Sequence, residues 1–153
     1  MYDFCWVMKY LFIFAFAFSI NSVFAQDSAW SSLSMVTKTK SYDPDFGMEI
    51  EDIEPGMLAQ QLNNTEVKVS GYIIPLTGKI EQSHFMFSKY PQNMCFFCGL
   101  AGPETAMQVF TKDEKKLKFT PKKITLTGTL QINKDKASGL IYTLRNAVVI
   151  TED

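Results

Sequence analysis

The chain has 153 residues, 46% hydrophobic and 20% charged, which suits one ordinary globular domain and leaves no room for two. Lys plus Arg total 15 against Asp plus Glu 16, so there is no global basic field of the kind that nucleic-acid or anionic-membrane binding draws on. Six of the 13 Phe fall within the first 24 residues, so whole-chain composition misdescribes the part that folds.

Residues 1–25 read as a signal peptide. Lys9 precedes an apolar run from Tyr10 to Ile20, and Val23-Phe24-Ala25 carries small residues at its last and third-last positions, as a signal-peptidase site does. The run is about eleven residues long, short of the roughly 20 that span a bilayer, and extending it backwards takes in Lys9. Cleavage after Ala25 makes Gln26 the mature start and places the protein in the periplasm or the medium. Asp3 and Lys9 leave together, so the balance of charge is unchanged. Cys5 leaves too, and no Cys stands at the cleavage point to carry a lipid. Of three Cys only Cys95 and Cys98 remain, enough for one disulfide and far from a disulfide-stapled miniprotein.

Residues 26–62 read as an N-terminal arm with a short helix. Trp30, Leu33 and Val36 recur every three residues among Ser and Thr, which predicts a short amphipathic helix or a packed extended arm. After Asp43-Pro44-Asp45, the residues Phe46, Met48, Ile50 and Ile53 partly alternate with polar ones, as in a half-buried edge strand. A turn at Pro55-Gly56 leads into MLAQQL, about one and a half helical turns, stopped by Asn63-Asn64. Asn63-Asn64-Thr65 also has the form of a glycosylation acceptor, a tripeptide common by chance.

Residues 63–153 read as β-structure. Val67 and Val69 alternate with Lys68 and Ser70, Tyr72-Ile73-Ile74 continues the strand past Gly71, and Pro75 ends it for want of an amide hydrogen. His84-Phe85-Met86-Phe87-Ser88 is a second strand, with Phe85 and Phe87 on one face and His84 and Met86 on the other. Ala106 to Lys112 makes a third, and Leu117 and Phe119 a short extended piece before Pro121. Lys112, Lys115, Lys116, Lys118, Lys122 and Lys123 surround that piece and read as a solvated turn. Ile124 to Ile132 and Leu140 to Ile150 form the clearest hairpin. Glycines in mid-strand at Gly71 and Gly128 let strands coil sharply, which suits a closed barrel. The fold class expected is therefore mainly β: a small five-stranded OB-like barrel with a short N-terminal helical or extended arm, ahead of an open sandwich.

Cys95-Phe96-Phe97-Cys98-Gly99 is the one motif with intrinsic chemistry, and Pro91, Gly99, Gly102 and Pro103 place it in a loop between the second and third strands. Two thiols at this spacing can close a disulfide, exchange it, or hold a metal. Zinc wants about four ligands, so His84 would have to join Cys95 and Cys98, with Glu104, water or a second subunit in the fourth place. The soft set Cys95, Cys98, Met86, Met94 and His84 suits copper as Cu(I) better. A thioredoxin-type centre lacks its βαβ setting here, and Gly99 stands where covalent haem attachment needs His. Phe96 and Phe97, in the same loop, are candidates to face a partner. No nucleophile elbow, phosphate-binding glycine loop or HExxH is present, and with a single His no hydrolase or transferase constellation can be assembled.

The chain resembles a family of small exported bacterial proteins, the domain-of-unknown-function family 3299. The resemblance rests on Trp30-x-x-Leu33, the strand from Val67 to Leu76, Cys95-Phe-Phe-Cys-Gly99 with Gly102-Pro103-Glu104, Leu126-Thr-Gly-Thr-Leu130, and Tyr142-Thr-Leu-Arg-Asn-Ala147. It implies an exported OB-like domain and, through relatives associated with transporter and metal-handling gene sets, a transporter component or other exported or membrane protein as partner. The segment GLAGPETAMQ departs from the Pro-rich segment that many relatives carry. Taken together, the expectation is an exported, non-enzymatic binding module without nucleic acid, whose loop holds zinc or copper at Cys95, Cys98 and His84, or a partner at Phe96 and Phe97. The alternatives are thiol-disulfide exchange and a purely structural Cys95–Cys98 disulfide.

Overall fold

In the computed structural model, residues 29–44, 47–75, 78–134 and 139–152 are described. The expected signal segment, 1–25, lies outside them. Helix α1 (Trp30–Leu33) opens the described chain, followed by strands β1 (Val36–Asp43) and β2 (Met48–Pro55), helix α2 (Met57–Gln61) and strand β3 (Glu66–Ile74). Then come β4 (Glu81–Gln82), β5 (His84–Ser88), β6 (Ala106–Thr111), β7 (Leu117–Lys118), β8 (Ile124–Ile132) and β9 (Tyr142–Glu152).

Five strands close into a barrel in the order β3-β5-β6-β9-β8. Numbered among themselves, the barrel strands run one, two, three, five, four, with the third and fifth parallel and the other pairs antiparallel. This is the OB-like arrangement expected from the sequence. Closure explains the period of two along the strands. Inward side chains have nowhere to go but the core, so Val67, Val69, Phe85, Phe87, Val109, Leu126, Leu130 and Leu144 are buried, while His84, Met86 and Gln108 on the opposite faces are only half-buried.

The two mid-strand glycines serve this closure. A Cβ on Gly71 would overlap the carbonyl oxygen of Ser88 on the neighbouring strand, and one on Gly128 would stand 2.7 Å from the Arg145 carbonyl oxygen. Glycine lets the backbones approach where the barrel bends.

Strand directions sort the loops to two ends. β6 and β9 are parallel, so the β5–β6 loop and the β8–β9 connection emerge together. β3 and β6 finish at the opposite end, where the short strands β4 and β7 pair with each other. The six lysines from Lys112 to Lys123 are exposed there, as a solvated turn requires.

Helix α1 seats against the first of these ends. Trp30 and Leu33 join the core, Trp30 Nε1 donates to the Ser70 carbonyl at 2.9 Å, and Tyr142 Oη donates to the Leu33 carbonyl at 2.9 Å. The helix expected over Trp30, Leu33 and Val36 thus stops after one turn, and the chain continues as β1. β1 and β2 pair over eight residues as a separate two-stranded ribbon, with Lys38–Glu51 and Lys40–Glu49 ion pairs on one face. The residues from Thr37 to Tyr42 are all exposed, so β1 is less covered than the packed arm that the sequence predicts, whereas β2, expected as a half-buried edge strand, has Ile53 half-buried against the core.

Candidate functional site

The loop 89–105, between β5 and β6, carries both thiols. Its base extends the strand pair, with Lys89 N donating to the Thr105 carbonyl at 2.9 Å. Three 3-10 turns follow in succession: Gln92–Met94, Phe96–Cys98 and Pro103–Thr105. Each has a reason in sequence. Pro91 precedes the first turn in extended conformation, Gly99 ends the second at φ +74, and Pro103 supplies the preset φ at the start of the third. Backbone bonds Met94 N to Pro91 O (2.9 Å), Cys98 N to Cys95 O (3.1 Å) and Thr105 N to Gly102 O (3.0 Å) close them.

Cys95 sits between the first two turns with an extended backbone, ψ 172, which directs its side chain inward to 0% exposure. Cys98, one turn on, reaches the surface and donates its thiol hydrogen to the Gln92 carbonyl at 2.9 Å. Both are free thiols, close to each other but beyond disulfide distance. The Cys98 thiol is pushed above its ordinary value, by loss of hydration within the turn first, then by its hydrogen bond to Cys95 and by that neighbour's charge. The two thiols are therefore unequal in place, one an inward anchor and the other accessible.

Around them the loop shows its apolar residues outward. Met94 is 52% exposed, Phe97 46% and Leu100 71%, while Phe96 is half-buried and meets the Phe97 ring edge-on at 5.2 Å. Of the two Phe expected to face a partner, Phe97 is exposed and Phe96 is half-buried beside it. Met94 and Leu100 complete the exposed group, and the same loop argument that singles out Phe97 reaches them too.

His84 is not brought to the thiols. It opens β5, whereas the thiol loop leaves from the other end of that strand, about 13 Å away at 3.3 Å per residue. Its ring instead stacks on Phe110 at 4.2 Å, and its Nε2 lies 3.2 Å from Gln108 Oε1. Phe110 in turn carries the Arg145 guanidinium at 4.7 Å, and Arg145 Nε donates to Gln131 Oε1 at 2.6 Å. This row crosses four barrel strands and accounts for His84 by cross-strand packing. Met86, on the same strand face as His84, pairs in register with Gln108 rather than with the loop.

Glu104, in the same loop, is not gathered with the thiols either. Its carboxylate folds over Gly102, where an added Cβ would strike it, and its Oε2 is buried without a hydrogen-bond partner. Burial first, and the charge of Glu104 second, push the Tyr142 hydroxyl up to about 12. Among the described residues no three His, Cys, Asp or Glu side chains gather as a metal-holding group. The two thiols alone would give tetrahedral zinc two of the four ligands it needs.

A groove of about 380 Å³ lies at the same end of the barrel, between β2 and the β8–β9 connection, lined by Ile53, Pro55, Pro103, Leu140 and Ile141 with Glu51 and Lys134. It meets the loop at Pro103 and contains neither thiol. Comparison with protein-family models, with curated proteins and with solved structures gives no match for the chain.

Proposed function

We propose that the protein is an exported, non-enzymatic binding module whose dithiol loop, 89–105, is its contact with an exported or membrane protein partner. One observation carries this reading: Met94, Phe97 and Leu100 are exposed in a loop whose backbone is closed by three consecutive turns and anchored by buried Cys95. Large apolar side chains held on a backbone that is already ordered lose little entropy on docking, and apolar anchors of this kind dominate the energy of small interfaces. The barrel supplies the rigid support.

The ionisation of the accessible thiol argues against thiol-disulfide exchange. The attacking species is the thiolate, and the accessible thiol, Cys98, has its ionisation pushed upward.

The test places a photo-reactive side chain at position 97 in the full-length protein and, as a control, at Thr39 on the exposed ribbon. Irradiation in intact cells is expected to give one adduct of discrete mass from position 97 and none of that mass from position 39. The adduct should fade when Leu100→Ser is added. Equal labelling from both positions, or none from position 97, overturns the proposal. Cell fractionation and the N-terminal sequence of the mature protein, expected to begin at Gln26, test export.

A further inference from the structure

We propose that Cys95 and Cys98 together bind one Cu(I) ion as a low-coordinate dithiolate. The inference rests on the reading that loop 89–105 is the binding site, and names a ligand for it.

The donors present decide which metal the site can hold. Hard divalent cations need several oxygen ligands, and structural zinc needs about four nitrogen or sulfur ligands. The loop offers two thiols close to each other, and no third His, Cys, Asp or Glu gathers with them among the described residues. Soft thiolate sulfur selects Cu(I), a soft monovalent ion that two such ligands can satisfy. An ion demanding few ligands is the one this site can hold without rearranging the barrel.

Placement supports the same choice. Cys98 at the surface gives the ion a way in, and Cys95, fully buried, gives it a fixed second ligand out of water. Phe96 and Phe97 lie between the two thiols in sequence, and their rings meet edge-on at 5.2 Å beside them in the chain. Met94, exposed and directly before Cys95, is a further soft donor in the same loop.

The step balances without a redox partner. Two S–H bonds break, two S–Cu bonds form, two protons pass to solvent, and copper remains monovalent throughout. On losing its hydrogen Cys98 gives up its bond to the Gln92 carbonyl, so this side chain is the one that turns to meet the metal.

The experiment titrates reduced full-length protein with Cu(I), anaerobically, against a chromophoric Cu(I) chelator, and separately with Zn(II). One equivalent of Cu(I) bound, with release of two protons and a metal X-ray absorption spectrum dominated by sulfur, is expected. Zn(II) should be lost to a weak chelator. Cys98→Ser, a surface change that leaves the core intact, should weaken Cu(I) binding by more than the roughly 10–100-fold that changes outside the ligand shell bring. Cys95→Ser should do the same, with circular dichroism confirming the fold. Stoichiometric uptake that survives Cys98→Ser, zinc held as tightly as copper, or no uptake by the reduced protein overturns the proposal. If copper fails while cross-linking from position 97 persists, the metal proposal falls alone; if both fail, the reading of the loop as the binding site falls with it.

Discussion

Replacing each thiol in turn by serine distinguishes a dithiol loop from a disulfide-pinned one, because the two states predict different patterns of stability. Cys95 is fully buried and Cys98 is exposed. Cys95→Ser puts a hydroxyl where the sulfur is fully buried, and a buried hydroxyl without a full set of partners costs about 1–3 kcal/mol. Cys98→Ser exchanges one surface donor for another that can still reach the Gln92 carbonyl, a change within about 0.5 kcal/mol. The dithiol state therefore predicts unequal costs that are unaltered by reductant. A disulfide over this spacing closes a four-residue ring, worth about 2 kcal/mol on chain entropy alone, and either substitution removes all of it. The disulfide state predicts that both variants lose that amount in oxidising buffer and that wild type loses it on reduction. Urea unfolding of wild type, the two single variants and the double variant, each with and without dithiothreitol, measures all the quantities needed. Equal losses in the two single variants, matched by the loss on reducing wild type, would refute the dithiol assignment.

Three further outcomes follow from the barrel. Gly71→Ala should destabilise by about 1–3 kcal/mol or more, read as a lowered urea midpoint, because its Cβ meets the backbone of Ser88 and no flexible side chain can give way. Trp30→Phe should cost about 1–2 kcal/mol in the same assay, by removing the indole bond to the Ser70 carbonyl. Tyr142 is held protonated in the folded protein up to about 12, while its unfolded value is the ordinary 10.0. Below the unfolded value both states carry the proton and the group is neutral to stability. Above it only the unfolded chain ionises, so stability should fall progressively from about pH 10 to pH 12. Tyr142→Phe should remove that part of the alkaline loss, and a pH series of unfolding midpoints in which wild type and variant fall in parallel refutes the assignment.

Much of the barrel is legible in the sequence because closure forces alternation. β5 and β8 follow the expected His84–Ser88 and Ile124–Ile132, since each has one face turned into a sealed core that only apolar side chains can line. β1 is not legible as a strand for the converse reason. It pairs with β2 alone, only its first residue, Val36, packs against the core, and Thr37, Lys38, Thr39 and Lys40 beyond it are exposed and carry no apolar alternation to read. Its start is further masked by Trp30 and Leu33, whose three-residue spacing serves one helical turn and then ends. The inequality of the two thiols is hidden in the same way. It depends on one extended residue between two 3-10 turns, a feature of backbone conformation that the spacing of Cys95 and Cys98 does not encode.

The separation of His84 from the thiols, by contrast, is contained in the strand assignment itself. Eleven positions separate His84 from Cys95, close enough in sequence to invite a shared site. But His84 begins the strand and the loop begins where that strand ends, so the strand's own rise carries the ring away from the sulfurs. A return is open only to a chain that folds back along the strand, and the loop does not. Its base is tied by Lys89 to Thr105, directly beside Ser88 and Ala106, the last pair of the β5–β6 ladder. A donor able to join Cys95 and Cys98 must therefore come from the loop, from α1, or from the β8–β9 connection at the same barrel end. Met94 and Glu104 are such loop residues, and Glu104 is already folded onto Gly102. Among the described residues no third His, Cys, Asp or Glu gathers with the two thiols, and two sulfur donors suit a soft ion better than a hard one.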